Sequence, residues 1–197
     1  NRGAMSAEEF ERQEDKIVKA IQTIDADVVG LMEIENNGYG DNGAIASLVT
    51  KINEKYTEDD KYPLPGGKVQ NDEAVALSVT NKYVFVGFDS NGDTILNADD
   101  RAGGDAISSG ILYRPHVLSL KGSKIIKMPS QNASPIVDEN GTALITSRDN
   151  TIREDGKNYM RDTVTARFQV NRTGKSFTIA VNHLKSKGST CWEDWQG

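Results

Sequence analysis

The chain has 197 residues, enough for one domain with a substantial core. Its 37% hydrophobic and 26% charged content is ordinary for a globular protein, and no apolar run approaches the roughly 20 residues of a membrane-spanning helix. A net charge of −6 argues against a broadly basic surface that coats nucleic acid, but not against an enzyme meeting phosphate through local cations and a metal.

Ser6-Ala7-Glu8-Glu9 is a capping-box pattern, and Phe10, Ile17, Val18, Ile21 and Ile24 then recur at helical spacing. This predicts an amphipathic helix from about 6 to 24. Asp25-Ala26-Asp27 leads into Val28 to Met32, an apolar run of the kind expected for a strand buried on both faces. The run ends in Glu33-Ile34-Glu35-Asn36-Asn37. A carboxylate inside the core would cost several kcal/mol, roughly, or stay protonated, so Glu33 is expected at a rim. Turn residues Asn36 to Gly40 precede a second helix, about 42 to 57, with Ile45, Leu48, Val49, Ile52 and Tyr56 as its buried stripe.

Residues 58–82 are polar and punctuated by Pro and Gly, and Tyr83 to Phe88 reads as a strand. In the acidic loop 89–104, Asp89, Asn91 and Asp93 match the start of a calcium loop. Thr94 stands where glycine is needed, so a solvated acidic loop is expected. Ala106 to Tyr113 is a buried strand closed by Arg114-Pro115, and Val117 to Lys127 is another strand. Residues 128–158 look like a long loop or flap. Thr163 to Val170 and Lys175 to Leu184 form a hairpin around Asn171-Arg172-Thr173-Gly174. No internal repeat or linker divides the chain, and the tail from Lys185 shows no period.

Two strands run out into polar residues, at Glu33 and at Asn182-His183. A strand-end carboxylate suits a hard divalent cation, because Mg²⁺ binds through one or two carboxylates, waters and substrate phosphate. The plainer alternative is that Glu33 and Glu35 simply end a strand. His183 is placed to act as general acid or base or to donate to phosphate; the alternative is a satisfied structural histidine. Asn182 supplies a donor and an acceptor beside it, and Lys185 and Lys187 supply local positive charge. His116 has no such neighbours and reads as structural. Arg114 and Arg161 are isolated cations whose planar fork suits phosphate oxygens, or which serve as ion pairs at the rim.

Arg2-Gly3-Ala4 with the first helix, Asp25 to Asn36, Gly104-Asp105-Ala106-Ile107, Gly110 to Pro115, and Val181 to Gly188 together resemble the endonuclease/exonuclease/phosphatase superfamily. The similarity is greatest to bacterial extracellular nucleases of the deoxyribonuclease I-like fold, and it runs from about residue 2 to 191. It implies a two-sheet α/β sandwich with helices on the outer faces, as a single domain over 1–197. It also implies that Glu33 is the metal-binding glutamate, His183 the catalytic histidine on a central strand, and Arg161 the arginine on substrate phosphate. Asn182 falls in the same pocket, Asp105 is a candidate carboxylate partner for the histidine, and Arg114 and Lys185 are further phosphate contacts. Glu35, Asn36 and Asn37 would line the same mouth.

The activity so implied is hydrolysis of DNA phosphodiesters, with RNA as a further substrate, dependent on Mg²⁺, Mn²⁺ or Ca²⁺. Nucleic acid is the expected partner, with no membrane contact, and the compartment is extracellular or periplasmic. The family's first strand and its later Gly-Asp-x-Asn and Ser-Asp-His blocks are absent between residues 1 and 197, so the resemblance implies a domain incomplete at both ends. The chain contains no internal disulfide, since Cys191 is its one cysteine; a partner further on would fit an oxidising compartment. Two alternatives remain: a phosphoesterase of the same superfamily acting on lipid headgroups or phosphosugars, and a non-catalytic binding module on the same scaffold.

Overall fold

Ser6 takes an extended conformation and accepts a hydrogen bond from Glu9 N at 3.1 Å, which caps helix α1 (Ala7–Ile24). The computed structural model describes residues 6–58, 82–128, 139–140 and 161–184. The flap, most of the polar stretch 58–82, the Tyr56 side chain, Lys185 and the tail lie outside the described residues, as does Arg2-Gly3-Ala4. Helix α1 ends where Asp25 turns left-handed, at φ 52°, with its N–H returned to Ile21 O. The chain then enters β1 (Val28–Glu35), followed by α2 (Ala44–Glu58), β2 (Val84–Phe85) and β3 (Ile107–Tyr113). Strands β4 (Leu118–Ile126), β5 (Thr163–Val170) and β6 (Ser176–Val181) complete the described elements.

Two antiparallel sheets form, in the orders β1-β3-β2 and β4-β5-β6. Successive residues of a strand face opposite sides, and β3 exploits this to serve two cores. Leu112 points to the helices, where it joins Val18, Ile21, Ile45, Leu48, Val49, Ile52 and Tyr83. Ile111 points to the second sheet, where it meets Val86, Leu118, Val164, Ala166 and Phe168. Burying a side chain of this size contributes about 1.5–3 kcal/mol. The molecule is therefore a two-sheet α/β sandwich, and both described helices lie on the outer face of the first sheet.

The apolar stripe of α2 is buried as expected, but that of α1 is only half used. Val18 and Ile21 are buried, while Phe10 and Ile24 are 55% and 68% exposed, so α1 reaches the core through its C-terminal half. The run Tyr83–Phe88 yields a strand of only two residues, although Val86 N still donates to Ile111 O at 2.9 Å. The hairpin closes as expected: Gly174, at φ 69°, returns its N–H to Val170 O.

Among the described residues, β1 and β6 are edge strands of their sheets, and they stack on each other. Gly30 makes this possible, since a Cβ there would stand only 3.0 Å from Val181 Cγ2. Beyond this close approach both strands run toward the same rim, carrying Glu33 on one and Asn182-His183 on the other.

Candidate active site

The end of β1 is not a simple strand terminus. Pairing with β3 is regular from Val28↔Tyr113 to Leu31↔Gly110, then slips by one residue before Ile34↔Ser108. The slip is a β-bulge, and Glu33 sits in it with φ 60°, in the left-handed region. That conformation costs a residue with a Cβ about 1–2 kcal/mol, and a bulge re-aims the side chain it carries. The strand continues to Glu35, which is exposed, so Glu33 is the carboxylate displaced from the regular alternation.

The displaced carboxylate faces His183. Glu33 Oε1 lies 3.5 Å from His183 Nε2, and the imidazole is 14% exposed against 35% for the glutamate side chain. The other imidazole nitrogen, Nδ1, is buried and has no hydrogen-bond partner among the described residues. Together Met32, Glu33, Asn182, His183 and Leu184 line a cleft of about 530 Å³. Asn182 is oriented from below, accepting a hydrogen bond at Oδ1 from Thr163 Oγ1 at 2.6 Å.

Arg161 does not line the cleft itself but stands close enough for its charge to act on Glu33. Its Nε is 3.0 Å from Asp105 Oδ2, an ion pair whose N–H is not aligned along the contact. The expected Asp105–His183 pairing is thus replaced. Asp105 holds the arginine, and the carboxylate facing the histidine is Glu33. The cause is topological: Asp105 precedes β3 on the side of the mouth where β5 begins, beside Arg161.

Arg114 is not brought to the cleft. It follows Tyr113, whose partner Val28 opens β1, so it lies at the far end of the sheet from the bulge. Its side chain is almost fully buried, paired with Asp25 and with Asp27 at 3.4 Å, and stacked over the Tyr83 ring at 4.8 Å. This is the ion-pair alternative, and it is structural. His116 is exposed on the turn between β3 and β4.

The two amides after the bulge build the mouth rather than line it. Asn37 Oδ1 accepts from Ala44 N at 2.8 Å at the start of α2. Asn36 bonds the 102–106 segment through its side chain and its backbone N–H. Thr163 carries no signal in its residue type; the signal is its place at the strand start after Arg161-Asp162.

The acidic loop spends its oxygens on its own amides. Asp89 accepts from Gly92 N and Thr94 N, and the fully buried Asp100 from Ser90 N, Ser90 Oγ and Asn97 N. Among the described residues no three His, Cys, Asp or Glu side chains converge to hold a metal ion. Glu33 is the carboxylate of the cleft, half-open and supported by rigid strand. That single donor fits a hard cation that keeps its waters and shares substrate phosphate, such as Mg²⁺, rather than a closed structural site.

No protein-family model matches the chain, and no curated protein matches it. Among solved structures it is similar to the human Nocturnin catalytic domain with bound sulfate anion, at a TM-score of 0.38 and 15% identity. The match covers 90% of this chain and 44% of that one, so the chain spans less than half of that domain's length. No described helix is long and apolar enough to cross a membrane.

Proposed function

We propose that the chain carries the catalytic centre of a divalent-metal-dependent hydrolase of phosphodiesters, with DNA as substrate and RNA as a further one. The observation that carries this reading is the meeting of Glu33 and His183, from different sheets, in one cleft beside Arg161. The sequence resemblance to the endonuclease/exonuclease/phosphatase superfamily supports it.

Glu33 would hold Mg²⁺, Mn²⁺ or Ca²⁺, which when bound would neutralise the scissile phosphate and the charge growing on the leaving oxygen. His183 Nε2, now 3.5 Å from Glu33, is farther from it than a well-formed hydrogen bond requires and is available to move a proton at the phosphate. Arg161, ion-paired with Asp105 on its Nε side, has its terminal nitrogens to offer phosphate oxygens. Asn182 has its Oδ1 engaged by Thr163 and one Nδ2 hydrogen directed to Ala180 O at 3.4 Å, and the second Nδ2 hydrogen would be the donor toward the same group. Contacts of this kind position a substrate without reading bases, so sequence preference should be weak.

The test is cleavage of plasmid DNA by the full-length protein, with Mg²⁺ and with EDTA, beside Glu33→Gln and His183→Ala. Cleavage should need the metal and fall at least roughly 100-fold in each variant. Variants that cut like wild type, or cutting that survives EDTA, would overturn the assignment. Release of phosphate from a lipid headgroup or phosphosugar, with DNA left intact, would move the reading to the other phosphoesterase class.

A further inference from the structure

Asn36 binds the 102–106 segment through both its side chain and its backbone. Its Nδ2 lies 3.3, 3.1 and 2.9 Å from the carbonyl oxygens of Ala102, Gly103 and Asp105. Its Oδ1 accepts from Ala102 N at 3.0 Å, and its backbone N donates to Ala106 O at 2.9 Å. The segment is hemmed in from the other side as well. Gly103 has φ 80°, and a Cβ there would come within 2.7 Å of Asp162 Oδ2. Asp105 leaves this braced segment with Oδ1 accepting from Ala106 N at 2.7 Å and Oδ2 set 3.0 Å from Arg161 Nε.

We infer that Asn36 is a positioning residue for Arg161: it fixes the 102–106 segment so that Asp105 holds the guanidinium at the cleft mouth. Asn36 follows Glu33 by three residues, just past the end of β1, so one short stretch of chain sets both the carboxylate and, through Asp105, the cation. An arginine ion-paired on its Nε side keeps its terminal nitrogens for phosphate, whereas an unpaired one must be ordered at each binding event. Asn36 touches no substrate; it acts through Asp105. The inference rests on the reading of Arg161 as a phosphate-binding residue.

The test uses the full-length protein with bis(p-nitrophenyl) phosphate as substrate, and the NMR signal of the Arg161 Nε–Hε group, identified by its loss in Arg161→Lys. Asn36→Ala and Asn36→Asp remove the two amide N–H groups that these carbonyl oxygens share. Both should move the Arg161 signal toward that of free arginine and raise KM roughly tenfold at unchanged kcat. In the Arg161→Lys background, Asn36→Ala should raise KM no further. A merely structural role would instead lower kcat with the folded fraction and leave KM unchanged; that result, or an unmoved Arg161 signal, overturns the inference. Should neither Asn36 variant fold, Gly103→Ala disturbs the same segment from the Asp162 side, and an unmoved signal there overturns it equally. A wild-type protein that hydrolyses no phosphodiester defeats the proposed function, while the NMR signal still decides the positioning role.

Discussion

His183 Nε2 stands 3.5 Å from Glu33 Oε1, although Glu33 lies on β1 of one sheet and His183 just past β6 of the other. Three local features produce the approach. Gly30 lets β1 settle onto Val181 of β6, the bulge turns Glu33 out of the regular alternation, and β6 ends two residues before the histidine.

The bulge carries a cost that can be measured. Glu33 holds φ 60°, which glycine adopts without strain. Glu33→Gly should therefore raise stability by about 0.5–1 kcal/mol in urea unfolding while abolishing phosphodiester hydrolysis. A destabilised Glu33→Gly would show that the carboxylate's contacts outweigh the backbone strain.

Arg114 should matter for folding and not for substrate. Removing it in Arg114→Ala leaves Asp25 and Asp27 without their buried partner and uncovers the Tyr83 ring. Unfolding should become easier by about 2 kcal/mol, with KM for a phosphodiester unchanged in the remaining folded protein. A raised KM would return Arg114 to the site.

Asp100 predicts how the protein responds to acid. The backbone amides of Ser90 and Asn97 hold its carboxyl below the ordinary carboxylate range, against the opposing effect of burial. A group lowered in this way stabilises the fold above its unfolded pKa of about 4 and loses that contribution as pH falls through the folded value. Stability should therefore drop on acidification below about pH 4, and Asp100→Asn should be less stable at neutral pH with a shallower acid limb. Parallel acid limbs for the two proteins would remove Asp100 from this role.

Much of the fold follows from pattern. The stripe Ile45, Leu48, Val49 and Ile52, the Ser6 cap and the Gly174 turn each rest on local periodicity or local turn chemistry, and each appears where the residues direct. What escaped the pattern depends on partners distant in sequence. Phe10 and Ile24 lie on the apolar side of α1, but no surface of the sheet reaches them. Glu33 looks like the end of a strand because a bulge leaves no trace in residue type; it shows only when β3 supplies the register. Arg114 and Arg161 are alike in sequence, and they are told apart only by which acids the fold places beside them. Asn36 reads as a loop residue, whereas its amide binds a segment more than sixty positions away.

The most direct test of the account is the double-mutant cycle of Glu33→Gln and His183→Ala, read as the rate of phosphodiester cleavage in Mg²⁺. Groups that serve one transition state lose together, so the double variant should cut no more slowly than the weaker single variant. Losses that multiply across the cycle, or a single variant that matches wild type, would contradict it.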